Sequence, residues 1–166
     1  MWWLSSAADD PRACRDGWYH DPGMPQLVAA GRLFDVVLMP MSFGLEVLGR
    51  MVGDERFAVG SVVIGERRAK LGFLVGPGSQ ADWPGLVSTA GAADAKTWCL
   101  GKGGYLVAPG ALVIHDLSIW WERGPTGEFD DLTSLSDLAN AVGATWRDVQ
   151  LTDAGAASLV GSAGGR

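Results

Sequence analysis

The run Leu33-Phe34-Asp35-Val36-Val37-Leu38-Met39, which Pro40 ends, is apolar at every position except Asp35. The run has the length of an ordinary strand, and apolar residues on both alternating faces are typical of a strand covered on both sides. The proline stops the strand because it has no N–H to donate to a neighbour. We therefore predict that this run is the central strand of a sheet.

Segments of helical and strand character follow the run. Ser42 is suited to be an N-cap and Gly53 a stop, with apolar residues between them at helical spacing. Two strand-like runs at 57–64 and 69–75 are separated by the polar link Gly65-Glu66-Arg67-Arg68, which is typical of a hairpin turn. This order predicts a helix and then a hairpin after the central strand.

Further elements of both types make up the rest of the chain. We predict helices at 11–19, at 83–89 and from Asp131 to Gly143, and strands at 26–30, 97–100, 105–107 and 114–121. Residues 1–150 are thus expected to form a single α+β domain with a central mixed or antiparallel sheet flanked by helices. The segment 151–166 is rich in Ala, Gly and Ser, and we predict a flexible C-terminal tail there.

The composition limits the classes of function. With 166 residues, 48% of them hydrophobic, the chain can bury the core of one domain. The net charge of −6 disfavours strong nonspecific DNA binding, because phosphate backbones are held by basic surfaces. A small basic groove remains compatible with this charge, since local fields steer ligands.

The cysteines and the N-terminus indicate the compartment. Cys14 and Cys99 have no paired spacing, so neither a disulfide framework nor a zinc site of the CxxC kind is expected. The start Met1-Trp2-Trp3-Leu4 lacks the basic and apolar regions of a signal peptide. No apolar stretch approaches the roughly 20 residues needed to cross a bilayer. We expect a cytoplasmic protein with no membrane partner.

Three blocks of the sequence resemble the N-terminal domain of bifunctional DNA primase/polymerases, the archaeo-eukaryotic primase type found in plasmids, phages and actinobacterial genomes. The blocks are a helix ending at Trp18 followed by a proline, a short strand, Gly31 and the strand 34–38; the strand 69–74; and the run 101–110 followed by a strand with Trp120 and Trp121. The most specific block contains Gly103-Gly104-Tyr105-Leu106-Val107-Ala108-Pro109, because the family has a similar run there. The resemblance implies a primase/polymerase-like fold in which the central strand lies beside the 69–75 strand.

The catalytic positions of that family are changed in this chain. Active members end the central strand with two acidic residues, one apart, that hold divalent metal ions for nucleotidyl transfer. Here that strand end reads Leu38-Met39-Pro40, and Asp35 lies at the strand's start. Lys70 stands near the family's triphosphate-contacting histidine, and Lys102 stands where its third metal carboxylate is expected. The resemblance therefore implies a degenerate domain that binds or regulates without polymerase chemistry.

Basic and glycine-rich residues near the altered site are candidates for binding a nucleotide or a single-stranded nucleic acid. Direct cationic contacts could replace the metal ions in neutralising phosphate. The candidates are Lys70, Lys102, Arg67, Arg68, Gly103, Gly104 and Tyr105. The alternative is that the charges are solvated and that the glycines only form a turn.

Tryptophans suggest a protein partner. The chain has eight of them, and Trp120 and Trp121 are adjacent in a predicted strand. Neighbours in a strand point to opposite faces, so one ring of the pair is expected in the core and the other can be exposed. An exposed ring would anchor a partner protein or stack on a base, whereas the alternative is that both fill the core.

No metal or cofactor site is predicted from the remaining polar residues. His20 and His115 share no ligand spacing with the cysteines, and Glu128, Asp130 and Asp131 are expected to form a solvated loop and helix cap. Two alternatives stay open. An active primase/polymerase using Mg²⁺ or Mn²⁺ would require Asp35, Asp94 and Asp116 to converge, and an unrelated small protein-interaction domain would make the resemblance accidental.

Overall fold

Helices and mostly antiparallel strands together form an α+β fold. A computed structural model describes residues 2–66, 69–111, 118–127 and 131–162, with side chains to residue 152. The elements are α1 (Trp2–Ser5), α2 (Pro11–His20), β1 (Gln26–Ala29), β2 (Asp35–Pro40), α3 (Met41–Val52), β3 (Val62–Gly65), β4 (Lys70–Val75), α4 (Ser79–Thr89), β5 (Trp98–Leu100), β6 (Tyr105–Ala108), β7 (Ile119–Arg123) and α5 (Leu135–Ser162).

The main sheet has five strands in the order β5-β2-β4-β3-β7, and all its neighbouring strands are antiparallel. β2 pairs with β4 along its whole length, from Asp35 opposite Val75 to Pro40 opposite Lys70. The apolar run is therefore an interior strand of the sheet and lies beside the 70–75 strand. A second sheet consists only of β1 and β6, which pair antiparallel.

The main sheet is covered differently on its two faces. Val37 and Met39 of β2 belong to the core under α3, α4 and α5, which defines the helix-covered face. Val36 of β2 points the other way, into a core shared with α1, α2 and the β1–β6 sheet. This opposite face is the one that carries the candidate site, because its cover is incomplete.

Several element boundaries differ from the sequence-based prediction. α3 begins at Met41 with Pro40 and not Ser42 at its N-cap, and α4 begins at Ser79 and not at residue 83. β3 begins only at Val62, because Ser61 donates its N–H to Asp131 O and Gly60 donates to Thr133 Oγ1. These bonds bind the predicted start of the strand to the segment before α5, which lies far away in sequence. The predicted strand at 114–121 falls partly on residues 112–117, outside the described residues, and β7 is shifted to Ile119–Arg123.

The last helix is longer than the sequence pattern predicts. α5 runs from Leu135 to Ser162, so helical backbone continues into the segment 151–166. The flexibility of that segment in solution stays a prediction. Across the described ranges, α5 included, no helix combines the length and apolar character that crossing a membrane requires.

Candidate ligand-binding site

A pocket of about 710 Å³ opens on the opposite face, between the main sheet and β6. Its volume is in the range of small-molecule sites, and its walls are mostly apolar, as in such sites. The pocket is lined by Leu38, Val63, Gly65, Lys70, Gly72, Trp98, Leu100, Tyr105, Leu106, Val107, Ser118 and Ile119. Lys70 and Tyr105, both predicted binding residues, therefore meet at one pocket.

Two glycines line the pocket, and one of them, Gly65, leaves free space there. Gly65 and Gly72 lie on neighbouring antiparallel strands, and both lack the side chain that would fill the sheet surface. A Cβ on Gly72 would lie 2.8 Å from Val36 Cγ1, so the neighbouring side chains close around that position. A Cβ on Gly65 would meet nothing within 4 Å. The open part of the pocket is therefore next to Gly65.

A cation and an aromatic ring are paired at the pocket. Lys70 Nζ lies 4.6 Å from the centroid of the Trp98 ring, which is within cation–π range. Lys70 opposes Pro40, and Trp98 opposes Leu38, so the lysine side chain reaches across β2 to the ring. Trp98 is 43% exposed. The pocket wall thus carries an aromatic ring with a positive charge lying over it.

Hydrogen bonds fix the ring of Tyr105 at the pocket rim. Tyr105 Oη donates to Asp9 Oδ2 at 2.8 Å, and Arg32 donates to Asp9 Oδ1 at 2.6 Å. The Tyr105 hydrogen bond, followed by that of Arg32, lowers the pKa of Asp9 below its ordinary value. The same carboxylate raises the pKa of Tyr105. The tyrosine therefore stays protonated and anchored at neutral pH.

The Tyr105→Phe variant tests this anchor. We expect the pKa of Asp9 to rise toward its ordinary value, because the phenol donor is lost while Arg32 remains. Because the pKa of Asp9 is lower in the folded than in the unfolded protein, the hydrogen bond stabilises the fold at pH values above the ordinary pKa of the carboxyl group. This stabilisation is lost as the pH falls through the lowered pKa. A carboxyl-carbon NMR titration measures the shift. Asp54, which Arg56 holds at a pKa of about 2, is the internal control and should not move.

Lys102 lies at the other end of the sheet from Lys70. Leu100 opposes Val36, which places Lys102 beyond the start of β2, whereas Lys70 opposes Pro40 at its end. Four positions of β2, about 13 Å, separate the level of Leu100 from that of Lys70, and Lys102 follows in the turn beyond Leu100. The structure therefore does not bring these lysines together. Arg67 and Arg68 lie outside the described residues.

The glycine-rich turn joins the two sheets and does not line the pocket. Gly103 has a φ of 89°, and Ala30 donates its N–H to Gly104 O. Lys102 belongs to the same turn, and its backbone packs on Gly31, where a Cβ would lie 2.5 Å from Lys102 Cα. The geometry gives these residues a structural role.

Asp35 points away from the pocket. Its side chain is 1% exposed, and its Oδ2 accepts the N–H of Gln80 at 2.9 Å. The carboxylate thereby satisfies a donor in the first turn of α4, whose N-cap Gly78 has no side chain to do so. Asp94 is exposed, and Asp116 falls outside the described residues. Across the described part of the chain, no three His, Cys, Asp or Glu side chains are grouped as a metal site.

The two adjacent tryptophans of β7 lie on opposite faces of the sheet, and both are half-buried. Trp120 packs on the helix-covered core, and Trp121 packs on the opposite core, where its Nε1 donates to Pro109 O at 3.0 Å. More exposed rings are found elsewhere, at Trp2 and Tyr19. The partner-binding role of Trp120 and Trp121 stays a prediction.

Asp131 is buried, and not solvated as the sequence suggested. Burial would raise its pKa, but hydrogen bonds from Thr126 and Gly127 lower it below its ordinary value. Of the two free cysteines, Cys14 is buried and Cys99 is half-buried. Burial raises the pKa of Cys14, and burial together with Asp35 raises that of Cys99 to about 12. Neither thiol is poised as a nucleophile.

Trp98, Gly65 and Gly72 are among the pocket residues that the sequence analysis did not name as candidates. Glycine inside a strand is a recognised signal for a close approach or a gap, so Gly72 could have been noticed. The contact of Trp98 with Lys70 depends on the strand order β5-β2-β4, which local sequence does not specify.

No family model matches the chain, and no match was found among curated proteins or among solved structures. The molecule itself presents an α+β domain with an apolar pocket, an aromatic face and an adjacent cation.

Proposed function

We propose that this chain is a degenerate DNA primase/polymerase-like domain that acts as a binding or regulatory module, and that its pocket holds a nucleotide. The nucleotide is either free or part of a short single strand. The observation that carries the proposal is the pair of Lys70 and Trp98 at an apolar pocket of nucleotide size. A base can stack on the indole once the ammonium group, which lies over the ring, moves aside to pair with the phosphate.

Two interactions favour a nucleotide as the ligand: base stacking and the contact of its phosphate with Lys70. Stacking of one base on an aromatic side chain contributes about 1–3 kcal/mol. A phosphate paired with Lys70 adds a charge-assisted contact, and the apolar walls reduce its screening by water. The net charge of −6 opposes long polyanions, so a single nucleotide or a short strand fits better than a duplex.

The positions of the carboxylates support binding without nucleotidyl transfer. Leu38 lines the pocket at the strand end where the resembled family has its metal ligands. Asp35, the acidic residue of β2, is buried on the other face and holds α4. A ligand of this pocket would therefore meet the Lys70 cation in place of a metal ion.

Isothermal titration with adenosine triphosphate, with and without Mn²⁺, and with a short single-stranded oligonucleotide tests the proposal. We expect binding that does not require the metal and that weakens about tenfold in Lys70→Met, which keeps the methylene chain but loses the charge. Lys102→Met is the matched control and should bind as the unmodified chain does. Metal-dependent binding would support the active-enzyme alternative, and absence of binding would contradict the proposal.

A further inference from the structure

A second surface, separate from the pocket floor, exposes apolar side chains on the β1–β6 sheet. Leu27 and Val107 form a direct cross-strand pair, and they are 60% and 42% exposed. Tyr105 stands two residues before Val107 on the same face and is 49% exposed. We name these three residues the outer patch. A contiguous apolar group of this kind is typical of an interaction site, unlike single exposed residues.

A hollow of about 530 Å³ adjoins the outer patch, between β1 and the start of α2. Leu27 and Tyr105 form part of its wall, so the patch continues into a concave surface. Asp9 and Asp10 also line the hollow, and no lysine or arginine is among its lining residues. The surface is therefore apolar on one side and acidic on the other.

The charge of the hollow comes mainly from Asp10. Asp9 is paired with Arg32 through the 2.6 Å contact, which compensates its charge. Asp10 Oδ1 accepts the N–H groups of Arg12 and Ala13 at the start of α2, and none of the ion pairs among the described residues involves Asp10. The net charge of −6 adds to the local potential. A cationic partner is favoured at this place.

We infer that the outer patch and its hollow dock a basic, amphipathic segment of another protein. The segment places apolar side chains on Leu27 and Val107 and a lysine or arginine beside Asp10. Charge complementarity selects this partner over an acidic or neutral one and speeds its encounter with the domain. Tyr105 and Val107 also line the nucleotide pocket, whereas Leu27 and Asp10 do not, and the inference does not depend on a nucleotide.

The experiment uses three short peptides, of alternating leucine and lysine, of alternating leucine and glutamate, and of alternating serine and lysine. Their binding is followed by amide NMR shifts of the whole chain and by titration. Leu27→Ser removes apolar contact, and Asp10→Asn removes charge while an asparagine still caps α2. Leu45→Ser on α3 and Asp94→Asn are the matched controls, since both residues are exposed elsewhere.

We expect the leucine–lysine peptide to bind, to shift the amides of β1 and β6, and to bind about tenfold more weakly to Leu27→Ser and several-fold more weakly to Asp10→Asn. The controls should bind like the unmodified chain.

Shifts confined to another surface, equal binding of the glutamate peptide, or equal loss in the controls would overturn the inference. Self-association abolished by Leu27→Ser would also overturn it, because the occupant would then be a second copy. Because Leu27 does not line the nucleotide pocket, titration of Leu27→Ser with adenosine triphosphate shows whether failure of peptide binding is separate from failure of nucleotide binding.

Discussion

The Gly65→Leu variant is expected to lose nucleotide binding by about a hundredfold or more while it remains folded. A Cβ at this position meets nothing within 4 Å, so a side chain can be added without displacing the sheet. Because Gly65 lines the open part of the pocket, the leucine side chain would take the space that a base needs. The measurement is titration with adenosine triphosphate, with circular dichroism and thermal unfolding to establish that the variant is folded.

The matched control is Gly49→Leu on α3. A Cβ there also meets nothing within 4 Å, but the position is exposed on a helix outside the pocket lining. This variant should bind nucleotide as the unmodified chain does. Unimpaired binding by a folded Gly65→Leu protein would mean that the nucleotide does not occupy this pocket.

The Gly31→Ala variant is expected to lose about 3 kcal/mol or more of unfolding free energy. Gly31 has a φ of 82°, where an L-residue costs about 1–2 kcal/mol. The added Cβ would also lie 2.5 Å from Lys102 N and Cα, and backbone atoms cannot move aside as a flexible side chain can. For a domain of this size we expect the melting temperature to fall by about 10 °C.

The Gly103→Ala variant separates the conformational cost of a positive φ from the steric cost of a close backbone contact. Its φ is 89°, but an added Cβ meets nothing within 4 Å, so only the conformational cost applies. We expect a loss of about 1 kcal/mol there. Equal losses in the two variants, measured by urea unfolding, would show that the contact between Gly31 and Lys102 does not hold the turn.

The α+β class and the interior strand could be predicted because they depend on local patterns. The apolar run 33–39 covers β2 except for its last residue, Pro40, and the hairpin of β3 and β4 surrounds a polar link at the predicted place. The predicted start of β3 was wrong because Gly60 and Ser61, which precede the strand, form hydrogen bonds with residues 131–133. Contacts over such a distance in sequence leave no periodic signal in either segment.

Only part of the candidate site could be predicted. Lys70 and Tyr105 were candidates through the family resemblance, and both line the pocket. Lys102 was grouped with Lys70 because the resemblance implies that both stand near the family's phosphate-binding site, but the register of β5 on β2 places them at opposite ends of the sheet. Trp98 was missed, since its partner is reached across an intervening strand. Charge type is visible in a sequence, whereas the distance between charges is set by strand order.

The pairing of β1 with β6 has a consequence for how the domain forms. Leu27 meets Val107 about eighty positions later in the chain, whereas the β3–β4 hairpin closes over a few residues. Joining distant segments costs more chain entropy and slows folding, so the short sheet is expected to assemble late. A chain emerging from the ribosome would therefore lack the β6 wall until most of its length had been synthesised, and a ligand of the pocket would recognise only the completed domain.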